Sequence, residues 1–147
     1  ANPRNRFWRA LNASDLLTQK IEPGKKAMRH LFQHERIGYT DLVKRPTSDA
    51  SQLRAADYRR GAPQLASKLK RYRPRIAWFH GKVACGQFLR YTDRERVADL
   101  RWGRQSFMLD EIIIFVTPNP SPANAAFSLN DIVASYNELA ELRRNLS

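Results

Sequence analysis

The chain has 147 residues, enough for one hydrophobic core of ordinary size and too few for two. Its 26 Lys and Arg against 14 Asp and Glu leave a net charge of +12, while 42% apolar residues exclude a disordered basic tail. A folded basic chain suits nucleic acid or another anionic partner, because clustered cations displace the counterions condensed on phosphates.

In chain order, Phe7, Trp8 and Leu11 fall at helical spacing and predict a short helix over Asn5 to Leu11. A second helix is expected from Lys25 to about Gln33, with Ala27, Met28, Leu31 and Phe32 on its apolar side. Ile37 to Val43 reads as a short extended or irregular segment that ends in a loop at Arg45-Pro46-Thr47, since Pro46 disfavours helix at the residue before it. Ser48 or Asp49 can cap a helix running toward Arg60. Gly61-Ala62 should interrupt it, and Pro63 suits the first turn of a further helix bearing Leu65, Leu69 and Tyr72.

Ile76 to Phe79 is a continuous apolar run of the kind buried in a parallel sheet, and Gly81 turns it into a helix from Lys82 to Tyr91. Ser106 to Leu109 and Ile112 to Val116, divided by Asp110-Glu111, predict a strand pair. Pro118, Pro120 and Pro122 end the second strand, because proline donates no ladder hydrogen bond. Ser128 and Asp131 form a capping-box pattern before a last amphipathic helix with Leu129, Ile132, Val133, Tyr136, Leu139 and Ala140 on its core face. Helices alternating with strands predict an α/β layered fold with a largely parallel sheet, in which ligand sites gather where strands end.

The charge is unevenly spread. Gln52 to Arg104 carries 14 Lys and Arg against four acids, a net of +10, and is the expected electrostatic footprint. The single cysteine, Cys85, excludes an internal disulfide and a cysteine-built zinc or iron–sulfur site, and between Ala84 and Gly86 it reads as a small core residue. No run of about 18 apolar residues is present to span a bilayer, and Ala1 to Trp8 has no signal-peptide pattern, so a soluble intracellular protein is expected. His30 and His34 share a helical face, but without a third ligand their reading is solvated or packed. His80-Gly81-Lys82 is either a plain glycine turn or a phosphate grip of helix amides and an ammonium; it is not a P-loop. Asp41 is by default a turn or capping residue.

Five motifs in order resemble the mismatch-specific uracil-DNA glycosylases and the related thymine-DNA glycosylases. They are Asn5-Arg6-Phe7-Trp8, Ile37 to Thr47, Tyr72 to Lys82, Trp102-Gly103-Arg104-Gln105 and Pro118-Asn119-Pro120-Ser121, and the likeness runs from Asn2 to about Leu142. The resemblance implies a three-layer α/β/α sandwich with a mainly parallel central sheet, no metal or cofactor, and a monomer that excises uracil from G·U and related mismatches in double-stranded DNA. Location with the DNA, in nucleoid or nucleus, follows from it. Gly81 and Lys82 fall on the family's glycine-lysine turn, expected to contact the DNA backbone. Asn119, Ser121, Pro122 and Asn124 fall on the loop expected to enter DNA beside the flipped base, and Thr47 is a further expected DNA contact. Tyr39, Thr40 and Asn119 fall in the base pocket. Where relatives carry Asn or Lys, this chain has Asp41, a carboxylate able to orient water or stabilise an oxocarbenium-like sugar, and it is the expected catalytic residue.

The family's first motif, a Gly-Ile-Asn-Pro-Gly type segment, has no counterpart here, so the chain is expected to be a single glycosylase domain lacking an N-terminal strand. Pro122 to Ala126 lacks the intercalating and basic side chains of relatives, which argues for weaker contact with the orphan guanine. The alternative is a non-catalytic DNA- or RNA-binding domain on the same scaffold.

Overall fold

The computed structural model describes residues 6–43 and 55–146. They fall into two compact units, one formed by Ala1–Tyr39 with Thr117–Ser147 and the other by Thr40–Val116.

The first unit is helical. Helices α1 (Phe7–Ala13), α2 (Ala27–Glu35) and α5 (Leu129–Leu146) supply its core, with α1 packed on α5. Ala10 and Leu11 are buried from α1, and Ile132, Tyr136, Leu139 and Ala140 from α5, in the periodicity that an amphipathic stripe requires. The Phe7 ring meets Tyr136 edge-on at 6.4 Å between centroids. The expected capping box is formed: Asp131 N donates to Ser128 Oγ at 3.0 Å and Ser128 N to the Asp131 carboxylate at 2.8 Å. Those hydrogen bonds from Ser128 hold the Asp131 carboxyl below its usual range. Helix α2 starts two residues later than expected and runs on to Glu35, where Arg36 closes it in the left-handed conformation at φ 58°. Phe32, expected on the apolar side, is 66% exposed, whereas Ala27 and Leu31 are buried. The buried Glu35 side chain instead accepts from Thr18 N and Oγ1 at 2.7 and 3.0 Å and so fixes the connection between α1 and α2.

The second unit is built on a three-stranded sheet in the order β1 (Ile76–His80), β3 (Ile112–Thr117), β2 (Gly103–Leu109). β3 is buried at every position, as its unbroken apolar run requires of a central strand. β2 begins earlier than expected and buries Gln105 and Phe107 on alternate positions. β2 and β3 run antiparallel, with Leu109 opposite Ile112 and an irregularity between Arg104 and Met108. A largely parallel sheet was the expectation; the tight turn at Asp110-Glu111 decides otherwise for this pair, because a parallel return needs a crossover of about a dozen residues or more. Asp110 takes the positive φ, 54°, of that turn.

Helices α3 (Ala55–Tyr72) and α4 (Lys82–Arg90) pack together, and a short 3-10 helix over Arg94–Asp99 contacts α4 and β2. Ala62, Leu65, Phe79, Cys85, Phe88, Leu89, Phe107, Ile114 and Val116 form a continuous core. α3 is one helix, so the interruption expected at Gly61-Ala62 does not occur. Gly61 serves packing: a Cβ there would lie 1.9 Å from the Leu42 carbonyl oxygen. Pro63 lies inside the helix, where it leaves the Arg59 carbonyl without its usual donor. The expected cap at Ser48 or Asp49 lies outside the described residues.

Candidate nucleic-acid interface

The junction between β1 and α4 is tightly constrained. Gly81 is buried at φ 95° and ψ 151°, a backbone region open in practice only to glycine. It redirects the chain from strand to helix within one residue. The first amides of α4 then have no partner from within the helix, the general condition for attracting an anion. Lys82 follows at once, and its ammonium rests 4.8 Å from the centroid of the Trp102 ring. Such a contact contributes about 0.5–1 kcal/mol at an exposed site. More usefully, a lysine already seated on a ring has fewer rotamers to lose on meeting a phosphate.

Trp102 is held in its turn by Gln105. The buried Gln105 side chain accepts from Arg101 N at 3.0 Å and donates to Gly103 O at 2.9 Å and to Arg101 O, clasping the bend that carries the indole. Gly103 completes the bend at φ 80°. Trp102 remains 42% exposed, a flat apolar surface beside a cation. No role for Trp102 or Gln105 is legible in the sequence beyond their motif; the signal is the pairing of an aromatic and a lysine 20 positions apart.

At the end of β1, the His80 ring packs on Trp78 at 4.8 Å between centroids. Burial lowers its pKa from 6.5 to about 4, so the imidazole is neutral at physiological pH and is no source of positive charge beside Lys82. Cys85, one turn into α4, is fully buried, and burial pushes its thiol up to about 12, which leaves no thiolate for nucleophilic work.

Tyr39 is 65% exposed, and Thr40 and Asp41 are exposed too. Thr40 Oγ1 accepts a hydrogen bond from Lys68 Nζ of α3 at 3.3 Å. Leu42 and Val43, the next two residues, run so close to α3 that Gly61 is required opposite them, which fixes the level at which Asp41 emerges. Thr47 lies outside the described residues. Every described Lys and Arg of the +10 block except the half-buried Lys82 is exposed, and the block lies within the second unit apart from residues 52–54, which are outside the description.

The proline-bounded loop belongs to the first unit. Ser121 N donates to Asn119 Oδ1 at 3.0 Å, Ala123 N to Ser121 Oγ at 3.3 Å, and Asn124 Nδ2 to Asn119 O at 3.0 Å. Asn119, Ser121 and Asn124 are thus one hydrogen-bonded knot, with Pro122 exposed at its surface. Arg6, quoted in the sequence only as part of a motif, donates to carbonyls of this loop. Gly81, Lys82, Thr40 and Asp41 lie in one unit and Tyr39, Asn119, Ser121, Pro122 and Asn124 in the other.

The imidazoles of His30 and His34 stack at 4.5 Å, and His30 Nε2 shares a hydrogen bond with the Gln19 amide at 2.9 Å. Among the described residues no group of three or more His, Cys, Asp or Glu is arranged to hold a metal ion, and no helix is long and apolar enough to cross a membrane. The family model of the uracil DNA glycosylase superfamily matches residues 1–142.

Proposed function

The chain belongs to the uracil DNA glycosylase superfamily, and on that premise we propose that it is a monofunctional DNA glycosylase, hydrolysing the N-glycosidic bond of uracil in double-stranded DNA. The family match over nearly the whole chain carries this reading; the basic second unit with its Gly81-Lys82 junction supports it. Uracil and related mismatched bases are its substrates, with weak dependence on an opposite guanine because Pro122 to Ala126 brings no intercalating or basic side chain to it. A monomer, acting where the DNA is, suffices for the chemistry. The same reading carries the three-layer α/β/α arrangement for the domain.

The target base must leave the stack before its glycosidic bond can be reached, at a cost of a few kcal/mol. Contacts to phosphates offset that cost, and the exposed cations of the second unit are suited to them. Gly81 lets the backbone approach a phosphate closely, while the amides of α4 and the Lys82 ammonium supply complementary charge. Asn119 and Tyr39 of the first unit, and Thr40 of the second, are each assigned a contact with the uracil, Asn119 through its amide. The loop through Ser121, Pro122 and Asn124 fills the space beside the flipped nucleotide, and Thr47 adds a backbone contact.

Bond cleavage develops positive charge on the sugar and negative charge on the departing uracil. Asp41 is the catalytic carboxylate of this reading: it orients the attacking water and stabilises the oxocarbenium-like sugar. The exposure of Asp41 leaves it accessible to a substrate without rearrangement of the core.

The full-length protein, incubated with a uracil-containing duplex and then alkali, should nick the strand at the uracil. Salt-dependent binding with no nicking would replace the enzyme with a non-catalytic DNA-binding domain. Asp41→Asn should lower the single-turnover rate by about a hundred-fold with an unchanged circular dichroism spectrum; a folded variant at the wild-type rate removes Asp41 from the chemistry.

A further inference from the structure

The loop proposed to enter DNA contains no Lys or Arg between Thr117 and Leu142, yet an arginine from the far end of the chain is built into it. Arg6 precedes α1, is only partly exposed, and points its guanidinium at peptide carbonyls. Nη1 donates to Phe127 O, and Nη2 to Asn124 O at 2.9 Å and to Ser121 O at 3.4 Å. The Arg6 backbone N–H donates to Pro120 O at 3.1 Å. One residue therefore grips both arms of the loop. Its own position is set by α1, which packs on α5 and meets it at the Phe7–Tyr136 contact.

From this geometry we infer that Arg6 is a positioning residue, a brace that holds the Asn119 to Phe127 loop in its DNA-entering form before DNA arrives. The inference rests on the glycosylase reading for what the loop does, and on geometry alone for what Arg6 does. The planar guanidinium matters because it presents several donors in fixed directions; an ammonium is a single point and cannot span Ser121, Asn124 and Phe127 together. The prolines at 118, 120 and 122 restrict the chain, and the Asn119 and Ser121 side chains shape its first turn, but neither ties the loop to the helices. A loop without the brace must be ordered while the base is being flipped, and that ordering opposes the flip. Because the guanidinium is committed to carbonyls, Arg6 makes no phosphate contact of its own. It differs in this from the cations of the second unit.

The test compares wild type, Arg6→Ala and Arg6→Lys in the full-length protein. In Arg6→Ala, amide exchange at Ser121, Ala123 and Asn124 should quicken while Ala10 and Ile132 stay protected. Single-turnover release of uracil from a duplex should slow by about a hundred-fold, the penalty for losing a catalytic geometry. Millimolar methylguanidinium should restore part of the rate, and methylammonium at equal ionic strength should not. The slope of log affinity against log salt should be unchanged. Two results overturn the brace: exchange at Ser121 to Asn124 equal to wild type, or a slope reduced by about 0.9, the signature of a lost phosphate contact. Should Arg6→Ala not fold, Arg6→Lys decides by the same exchange measurement, faster loop exchange supporting the brace and unchanged exchange refuting it. If the wild type releases no uracil, the glycosylase reading falls while the exchange comparison still judges Arg6.

Discussion

Replacing Gly61 by alanine should reverse the usual sign of a helical Gly→Ala change. In an unencumbered helix interior the substitution stabilises by about 0.5–1 kcal/mol, because the unfolded chain has less backbone freedom to lose. At Gly61 the new Cβ would stand 1.9 Å from the Leu42 carbonyl oxygen and 3.0 Å from its carbon. Ordinary non-bonded contact is about 3.5 Å, so α3 and the Leu42-Val43 segment must separate by about 1.5 Å. Leu42 packs against the core and cannot move without unpacking it. Overpacking of this kind costs about 1–3 kcal/mol, which outweighs the entropic gain. Gly86 of α4 is the matched control: its Cβ would meet only the Leu100 side chain, at an ordinary 3.7 Å. Thermal unfolding followed by circular dichroism should show Gly86→Ala unchanged or slightly raised and Gly61→Ala lowered by about 3–8 °C. Since Thr40 and Asp41 precede the displaced segment, Gly61→Ala should also lose uracil excision at temperatures where it is still folded. A Gly61→Ala protein that melts at or above the wild-type temperature would refute the close approach as the reason for the glycine.

Two further outcomes follow from the β1–α4 junction. With the His80 pKa lowered from 6.5 to about 4, the unfolded chain takes up that proton first as pH falls, so stability is complete above about pH 7 and is lost through the window from 6.5 to 4. By about pH 5 the loss should reach about 2 kcal/mol, and His80→Gln should lack it; urea curves for the two proteins that fall in parallel with pH would contradict a neutral buried imidazole. Lys82→Met should weaken duplex binding and reduce the log affinity against log salt slope by about 0.9, whereas Trp102→Leu should weaken binding with the slope intact. An unchanged slope in Lys82→Met would take Lys82 off the phosphates.

What the sequence disclosed and what it concealed divide along the range of the interactions. β3 could be read because five consecutive apolar residues, Ile112 to Val116, have few homes besides a central strand, and the Ser128-Asp131 box because both partners lie within one helical turn. The turn at Gly81 was legible for the same local reason. Gly61-Ala62-Pro63 misled because a glycine and a proline together ordinarily mark a break. Here the glycine answers to Leu42, a residue 19 positions away that propensity cannot see. Phe32 misled in the other direction, since helical spacing records which side chains share a face and not whether that face is covered. In the candidate interface the residue types at Gly81, Lys82 and Asn119 to Asn124 were visible, but their supports were not. Arg6 reaches its loop across 118 positions to Asn124, and Gln105 acts on a bend whose purpose appears only with Lys82 on the Trp102 ring.

These supports give the two units different parts in the proposed reaction. Most of the net positive charge belongs to the block Gln52 to Arg104, which lies largely in the second unit, where the Lys82 ammonium is oriented by an indole. The proline loop of the first unit is uncharged, and the one cation built into it is turned inward upon carbonyls. Electrostatic attraction acts over about 8–10 Å at ordinary ionic strength and is indifferent to sequence, so the second unit is suited to finding and gripping DNA. Filling the space of an extruded nucleotide depends on shape held to a fraction of an ångström, which charge alone cannot provide and a braced loop can. Asp41 fits between these requirements: it is carried by the basic unit, but its level is set by the backbone contact at Gly61 and not by charge. In the proposed reaction, affinity therefore rests mainly on the cations of the second unit, and positioning for excision on Asp41 and on the loop that Arg6 braces.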